Sequence, residues 1–549
     1  MAKSMALNAA AGLGGMLKDG HKSFEGTYGA VLRNVEAGKA IAKIVSSSLG
    51  PNGMNKLVVN HLEKIIVTSD CATIIKELEV AHPAAKILTM ASEMQEQEYG
   101  DNTNFVVSFG GELLKMAENL IKNGLHTAEI AEGYVKAYEK VLEILPNLVI
   151  KEVVDMRNKE EVIKAIKNVI ATKQHGYEDM LSDLVVTACQ TTFPPAATSN
   201  KKPKLNIESV RFAKLRGGSV DASTFLKGLV VLRDTEGVVK KVENAKVLVL
   251  GCALEATASE AKGTVLIKNA EELLNYNKSE EIKMEEMIKG IAAAGIKVII
   301  SNGNVSEMAQ HYADRYDMMV LKIQSKFELR RLCGALGATA CARIGPPSPE
   351  EMGEVSSIEV KELAGRKITV VRQDQDEDTS VATVVVRAAT ENVLNDVERA
   401  LDDGANAVNT LCKDPRLLPG AGAVELELAK QLKEYADACT GLEQYSIRKF
   451  AEALDVIPRT LGENSGCDPT SIMHSLHASH EGPNTFMMGF DIDECKPINV
   501  ADAEIYDLYA TKLNALRLSV DAAVTILKVD QIVMSKPAGG PKPGGPGGM

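Results

Sequence analysis

The hydrophobic period of this chain changes twice, and that alternation limits the folds open to it more than any single motif does. From Gly26 to Ser48 apolar residues recur at helical spacing through Val31, Val35, Ala42 and Val45, with the small Gly38 on the same face. Pro83 suits a first helical turn and opens a second helix through Ala84, Ile87, Leu88 and Ala91. A third helix is expected from about Phe105 to Gly124, and Lys56–Asn60 with Ile65–Thr68 has the β-branched bias and turn spacing of a hairpin. The middle of the chain reads differently. Short apolar runs at Gly228–Leu232, Lys246–Leu250, Lys297–Ile300, Met319–Lys322 and Ile368–Val371 alternate with helical patterns at Val305–Tyr316 and Lys326–Leu336. That is the pattern of an α/β domain with a largely buried sheet. Helical spacing returns from about Thr390. A mainly helical domain split around an inserted α/β domain is the simplest organisation, and 549 residues are too many for one core.

Charge and composition narrow the function. The chain carries 74 acidic against 62 basic residues, a net charge of −12, and no dense Lys/Arg block. Nucleic acid is therefore not the expected partner, and the absence of Trp removes the best base-stacking side chain. No apolar run approaches the roughly 18 residues needed to span a bilayer, so no membrane partner is expected. Met1–Gly26 lacks the apolar stretch of a signal peptide, which makes the cytoplasm the expected compartment. The nine cysteines are scattered singly, without a CxxC pair, and are read as free, mostly buried thiols. His474, His477 and His480 cluster without an evident carboxylate partner. The Gly/Pro-rich end, 536–549, is expected to be a flexible tail.

Four segments carry candidate chemistry. Leu49-Gly50-Pro51-Asn52-Gly53 follows a helix and can present backbone N–H groups to a phosphate; it is equally the pattern of a helix-stop turn. Asp101 and Thr103 precede a helix whose first-turn N–H groups and dipole favour an anion, or else they serve as ordinary N-cap residues. Asp402-Asp403 lies in a helix from Asn392 to Leu411, where one acid can orient an attacking water or both can simply be solvated. Leu418-Pro419-Gly420-Ala421-Gly422-Ala423 is a glycine turn opening the helix Val424–Tyr435. The chain contains no GxxxxGK[ST], HExxH or GxSxG motif to compete with these.

Taken together, Leu49–Met54, Asp70-Cys71-Ala72-Thr73-Ile74, Gly100-Asp101-Asn102-Thr103 and Pro419–Ala423 resemble, in order and spacing, the signatures of group II chaperonins. The resemblance runs from about Phe24 to the tail. It implies a multidomain α and α/β architecture in which a mainly helical equatorial domain is split by intermediate and apical α/β domains. The corresponding boundaries are 1–143 and 406–535 for the equatorial domain, 144–217 and 368–405 for the intermediate domain, and 218–367 for the apical domain. Residues 254–285 match a lid protrusion. The partners implied are seven paralogous subunits in an eight-membered ring, a second ring stacked on the first, and unfolded client proteins enclosed as ATP is bound and hydrolysed. By motif, Leu49, Gly50 and Pro51 would line the nucleotide, Asp70 with Asp101, Asn102, Thr103 and Asn104 would surround its magnesium and phosphates, and Asp70 would be catalytic together with Asp403. Asp101 would ligate Mg2+. Asp403 matches the acid that activates the hydrolytic water, Lys173 the γ-phosphate sensor, Gly420 and Gly422 the nucleotide flank, and Asp507 the ribose contact.

The match has three departures. Gly100-Asp101-Asn102-Thr103-Asn104 stands where the family pattern is Gly-Asp-Gly-Thr-Thr, Ser69-Asp70-Cys71 where it is Asn-Asp-Gly, and Gly420-Ala421-Gly422 where it is Gly-Gly-Gly. Wherever a replaced glycine needs φ > 0, the side chain is expected to cost about 1 kcal/mol or more. The expected outcome is either a competent site, since Asp70, Asp101 and Asp403 are kept, or a ring subunit that binds nucleotide and hydrolyses it little.

Overall fold

The computed structural model describes residues 22–25, 27–193, 205–255, 268–363, 365–373, 381–482 and 485–534. The tail expected at 536–549 and residues 256–267 of the expected lid protrusion lie outside the described residues. The chain forms two compact units, one made of residues 1–151 with 416–549, the other of 152–415.

The first unit starts with strand β1 (Lys22–Glu25) and a π-turn, Thr27–Val31, leading into α1 (Leu32–Ser46). The hairpin β2 (Lys56–Val59) and β3 (Ile65–Thr68) follows, paired from Lys56↔Thr68 to Val59↔Ile65. Then come α2 (Cys71–Glu77), α3 (Pro83–Tyr99), α4 (Thr103–Lys122) and α5 (Thr127–Ile144), before the two-residue strand β4 (Lys151–Glu152). Helix α4 is the core of this unit, because Phe105, Val106, Phe109, Leu113 and Leu114 are all sealed from solvent. Two glycines set how closely α1 and α4 pack: a Cβ on Gly38 would lie 2.5 Å from Leu114 Cδ1, and one on Gly111 2.2 Å from Ala42 Cβ.

The inserted unit contains α6 (Lys159–Ala171), α7 (Glu178–Thr191), β5 (Val210–Arg216), β6 (Thr224–Lys227), β7 (Leu229–Val231) and β8 (Lys241–Leu250). It continues through α8 (Ala270–Ala293), β9 (Ile296–Ser301), α9 (Glu307–Arg315), β10 (Met319–Lys322) and α10 (Lys326–Leu336). Its last elements are β11 (Gly353–Leu363), β12 (Arg366–Arg372), β13 (Ala382–Ala388) and α11 (Glu391–Lys413). Six strands form a mixed sheet in the order β10-β9-β8-β11-β12-β7, parallel across β8, β9 and β10 and antiparallel beyond. The apolar runs of β8 and β9 are covered on both faces: Val247, Val249, Val298 and Ile300 enter one core, Leu248, Leu250 and Ile299 another. A second sheet, β5-β13-β6, lies in the same unit.

The chain re-enters the first unit at β14 (Arg416–Pro419), followed by α12 (Ala423–Ala438), α13 (Glu443–Leu454), α14 (Val456–Asn464) and α15 (Pro469–Ser479). A hairpin of β15 (Met488–Asp491) and β16 (Lys496–Asn499), then β17 (Tyr506–Leu508), α16 (Tyr509–Leu527) and β18 (Gln531–Met534), complete it. β18 pairs antiparallel with β1, so the two ends of the described chain meet in one small sheet. Phe109, Phe450 and Tyr134 interlock edge to face, joining α4, α13 and α5 across this long sequence separation.

Two sequence expectations need correcting. Cys467 and Cys495 are not free thiols but a disulfide, their Cα atoms 6.7 Å apart. The turn after α14 and the hairpin β15–β16 are brought together by a core of Leu426, Ile472, Met473, Leu476 and Phe490, a long-range proximity invisible to cysteine spacing. Nor do two of the clustered histidines, His477 and His480, lack carboxylates. His480 Nδ1 is 3.4 Å from Glu427 Oε2, and His477 Nε2 is 3.4 Å from Asp455 Oδ2.

Candidate functional site

In the first unit the Leu49–Pro51 turn follows directly from the end of α1. Gly50 takes φ +82°, and its carbonyl accepts from Gly53 N–H at 3.0 Å. Asn464, the last residue of α14, donates to Leu49 O at 2.8 Å and to Ser46 O at 3.1 Å, which fixes the turn from across the chain. The first turn of the same helix meets the second glycine turn, since a Cβ on Gly422 would lie 3.0 Å from Pro458 Cβ. Helix α14 therefore braces both glycine turns.

Asp101 and Asn102 bridge α3 and α4. Gly100 ends α3 in the left-handed region, and Asn102 takes φ 64° as the N-cap residue of α4 without making a side-chain cap bond. Gly422, N-cap of α12, is likewise left-handed and cannot cap. Helices α4 and α12 thus both start from a left-handed residue with no side-chain oxygen on their first N–H groups, whereas α3 and α16, also without a side-chain cap, start from extended residues. A helix N-terminus open in this way can receive phosphate. Asp70 differs. It caps α2, accepting from Thr73 N–H at 3.1 Å and from Thr73 Oγ1 at 2.6 Å, and is 6% exposed. Asn104 also has definite work: its Nδ2 donates to Val45 O at 3.0 Å and Ser48 Oγ at 3.1 Å, while its Oδ1 accepts from Ser108. That side chain ties α4 to the start of the Leu49 turn.

The Gly420 turn and Asp507 are neighbours through strand pairing. Leu418 lies opposite Asp507 in the β14–β17 ladder, and Gly420 N–H donates to Ile505 O at 3.0 Å. A Cβ on Gly420 would sit 3.4 Å from Asp507 Oδ1. Behind them lies a side chain that the sequence patterns did not single out. Lys512, buried in α16, bonds Glu425 Oε1 at 2.7 Å and Asp507 Oδ2 at 2.9 Å, with its ammonium 4.6 Å from the centre of the Phe105 ring. Burial works to lower the lysine pKa, but the two carboxylates outweigh it and hold the group above its ordinary range. A lone lysine on an otherwise apolar helix face was the available signal.

In the inserted unit Lys173 follows the end of α6 and pairs with Asp403 Oδ2 on α11. Asp403 is buried and Asp402 exposed, so the pair of acids has one inward member. Close approach of α11 to α6 depends on the next residue, because a Cβ on Gly404 would lie 3.1 Å from Ile170 Cδ1. The expected site residues thus divide: Leu49, Gly50, Pro51, Asp70, Asp101–Asn104, Gly420, Gly422 and Asp507 in the first unit, Lys173 and Asp403 in the inserted one.

Residues 41–537 match the model of the TCP-1/cpn60 chaperonin family. The chain belongs to that family. This chaperonin is similar to the T-complex protein 1 subunit theta of Dictyostelium discoideum, 47% identical over 97% of this chain and 98% of that protein. It is similar to the subunit theta proteins of Arabidopsis thaliana (47% identical) and Homo sapiens (46% identical), each over 97% of this chain and 96% of theirs. Among its described residues no helix is long and apolar enough to cross a membrane, and no three His, Cys, Asp or Glu side chains cluster as a metal cage. A magnesium ion bound through one carboxylate and phosphate oxygens requires no such cage.

Proposed function

We propose that this chaperonin chain is an ATP-hydrolysing subunit of a hetero-oligomeric double ring that encloses and folds unfolded proteins in the cytoplasm. The observation that carries the reading is the convergence, in one unit, of two helix N-termini that follow left-handed, non-capping residues (Asn102 and Gly422), the glycine turns at Gly50 and Gly422, and Asp507 beside Gly420. Backbone N–H groups of the first turns of α4 and α12 receive phosphate oxygens, and Asp507 accepts from the ribose. Asp101 would hold Mg2+, which would supply charge neutralisation on the phosphates. Asp70 holds its loop by capping α2 and stands by as a further acid. Asp403 orients the attacking water and takes its proton, while Lys173, its ion-pair partner, senses the γ-phosphate.

Membership of a ring has its own support. Leu57, Val59, Leu62 and Ile65 on the β2–β3 hairpin are 55–73% exposed, and Met54 beside them 66%, a contiguous apolar face of the kind that marks a protein interface. The equatorial, intermediate and apical boundaries expected above are carried with this proposal: both chain ends in the helical unit fit the first, and the six-stranded sheet fits the last.

Replacing Asp403 by Ala in the assembled particle is expected to remove this chain's share of ATP turnover and slow ring closure. Unchanged turnover and closure would overturn the reading. A second reading, nucleotide binding with little hydrolysis, is favoured by Asn102 and Ala421, which carry side chains at φ 64° and φ 53° where the family pattern has glycine.

A further inference from the structure

Around the first turn of α16 the structure gathers parts of three segments that the proposed ATP site uses. Lys512 Nζ bonds Asp507 Oδ2 at 2.9 Å and Glu425 Oε1 at 2.7 Å, and Glu425 stands in the first turn of α12, just after the Gly420–Gly422 turn. Its ammonium lies over Phe105, in the first turn of α4. One residue earlier, Thr511 O accepts from Gln95 Nε2 at 3.2 Å, and the same amide donates to Asp101 O at 2.9 Å. Lys512 and Glu425 side chains are 4% and 1% exposed, but Asp507 is 28% exposed. The cluster therefore opens to solvent only through Asp507, whose Oδ1 lies on the Gly420 side while Oδ2 is held by the lysine. Two carboxylates share one ammonium, which leaves a net negative charge, and an ionised carboxylate can only accept hydrogen bonds.

We propose that Lys512 is a positioning residue that aims Asp507 at the sugar and thereby sets a preference for ribonucleotides over deoxynucleotides; this rests on the ATP-site reading above. Without the ammonium, Glu425 and Asp507 become two acids sharing a buried site, where one must take up a proton or turn away. Either response removes a fixed acceptor for a ribose hydroxyl. A purely structural lysine would instead weaken all nucleotides alike.

The test is photolabelling of this chain in the assembled particle with 8-azido-ATP, competed by ATP or by 2′,3′-dideoxy-ATP. In the unaltered particle ATP is expected to compete about tenfold better than the dideoxy nucleotide, the worth of one hydrogen bond to a charged group. In Lys512→Met that ratio is expected to fall to about one, with ATP still competing. Should Lys512→Met fail to assemble, the double variant Lys512→Met/Glu425→Leu replaces the buried pair by apolar side chains, a change proteins often tolerate, and carries the same expectation. Asp507→Asn should lower the ratio as well. Loss of ATP and dideoxy-ATP competition in equal measure, or a ratio that stays near ten in an assembled variant, overturns the proposal and leaves the ATP site standing. A ratio near one in the unaltered particle also overturns it. Absence of any labelling of this chain would overturn the ATP-site reading itself, and this inference with it.

Discussion

At two places in the helical unit an aspartate is followed by a residue that replaces a motif glycine, and the two backbones differ. After Asp70 comes Cys71, the first residue of α2, in right-handed helical geometry and 3% exposed. After Asp101 comes Asn102, at φ 64° and ψ 22°, between two helices. Ala421, the third replacement, sits with Asn102 in the left-handed class at φ 53°. Missing glycine is therefore not one kind of departure. At Cys71 the helix gains from having a side chain, whereas at Asn102 and Ala421 a side chain occupies a conformation that disfavours it.

The largest test of that contrast is Cys71→Gly. Restoring the family residue there should destabilise, since glycine early in a helix costs up to about 1 kcal/mol and the buried thiol leaves a gap in the core of Ile41, Val45, Ile74 and Val107. A total of about 2 kcal/mol is expected, read as roughly thirtyfold faster local amide exchange at Ile74 and Ile75. A neutral outcome would place Cys71 with the left-handed positions and dissolve the comparison.

Asn104→Thr comes next. It restores the hydroxyl of the family pattern but removes the amide that donates to Val45 O and Ser48 Oγ. Neither acceptor is orphaned by the change, because Val45 O also accepts from Ser48, and the Ser108 hydroxyl that loses Asn104 Oδ1 can turn to the helix carbonyl four residues back. The loss is therefore that of ordinary hydrogen bonds, about 1 kcal/mol. It should appear as a lower urea midpoint for the full chain, and an unchanged midpoint would mean the α1–α4 tie is not needed.

How far this was readable beforehand follows from which forces are local. The helix at Pro83, the hairpin at Lys56–Thr68 and the buried runs at Lys246–Leu250 and Lys297–Ile300 all come from period and turn chemistry acting over a few residues, and they fold as read. The glycine motifs were legible as a set. Their braces were not. Asn464 reaches Leu49 across 415 residues, Gln95 reaches Thr511 across 416, and Lys512 meets Glu425 from 87 residues away. Each becomes a brace only through a partner that the tertiary fold brings to it from far along the chain. The Cys467–Cys495 bond and the His480–Glu427 contact escaped for the same reason.

Ala421→Gly should act in the opposite direction to Cys71→Gly. Left-handed alanine costs about 1 kcal/mol or more, partly offset by the greater freedom glycine gives the unfolded chain, so a gain of about 0.5 kcal/mol is expected. The fold already accommodates the methyl: a Cβ on Gly489 would approach Ala421 Cβ to 2.9 Å, so the facing position is itself a glycine. A small rise in urea midpoint would agree, and a fall would show that the methyl's packing outweighs its strain.

Asn102→Gly should be the mildest of the four. Asparagine tolerates the left-handed region better than other side chains, and an N-cap exchange of Asn for Gly moves stability by only a few tenths of a kcal/mol. Its value lies in function rather than stability. The Asn102 side chain stands at the start of α4, where the proposed site receives phosphate, and it makes no cap bond there. If the replaced glycines are what slows hydrolysis, Asn102→Gly together with Ala421→Gly should raise ATP turnover of the assembled particle with little change in its thermal midpoint. Cys71→Gly should not raise it. Equal turnover with and without the two glycines would remove the physical basis for a slow subunit, leaving Asp403 in the inserted unit as the residue on which the rate depends.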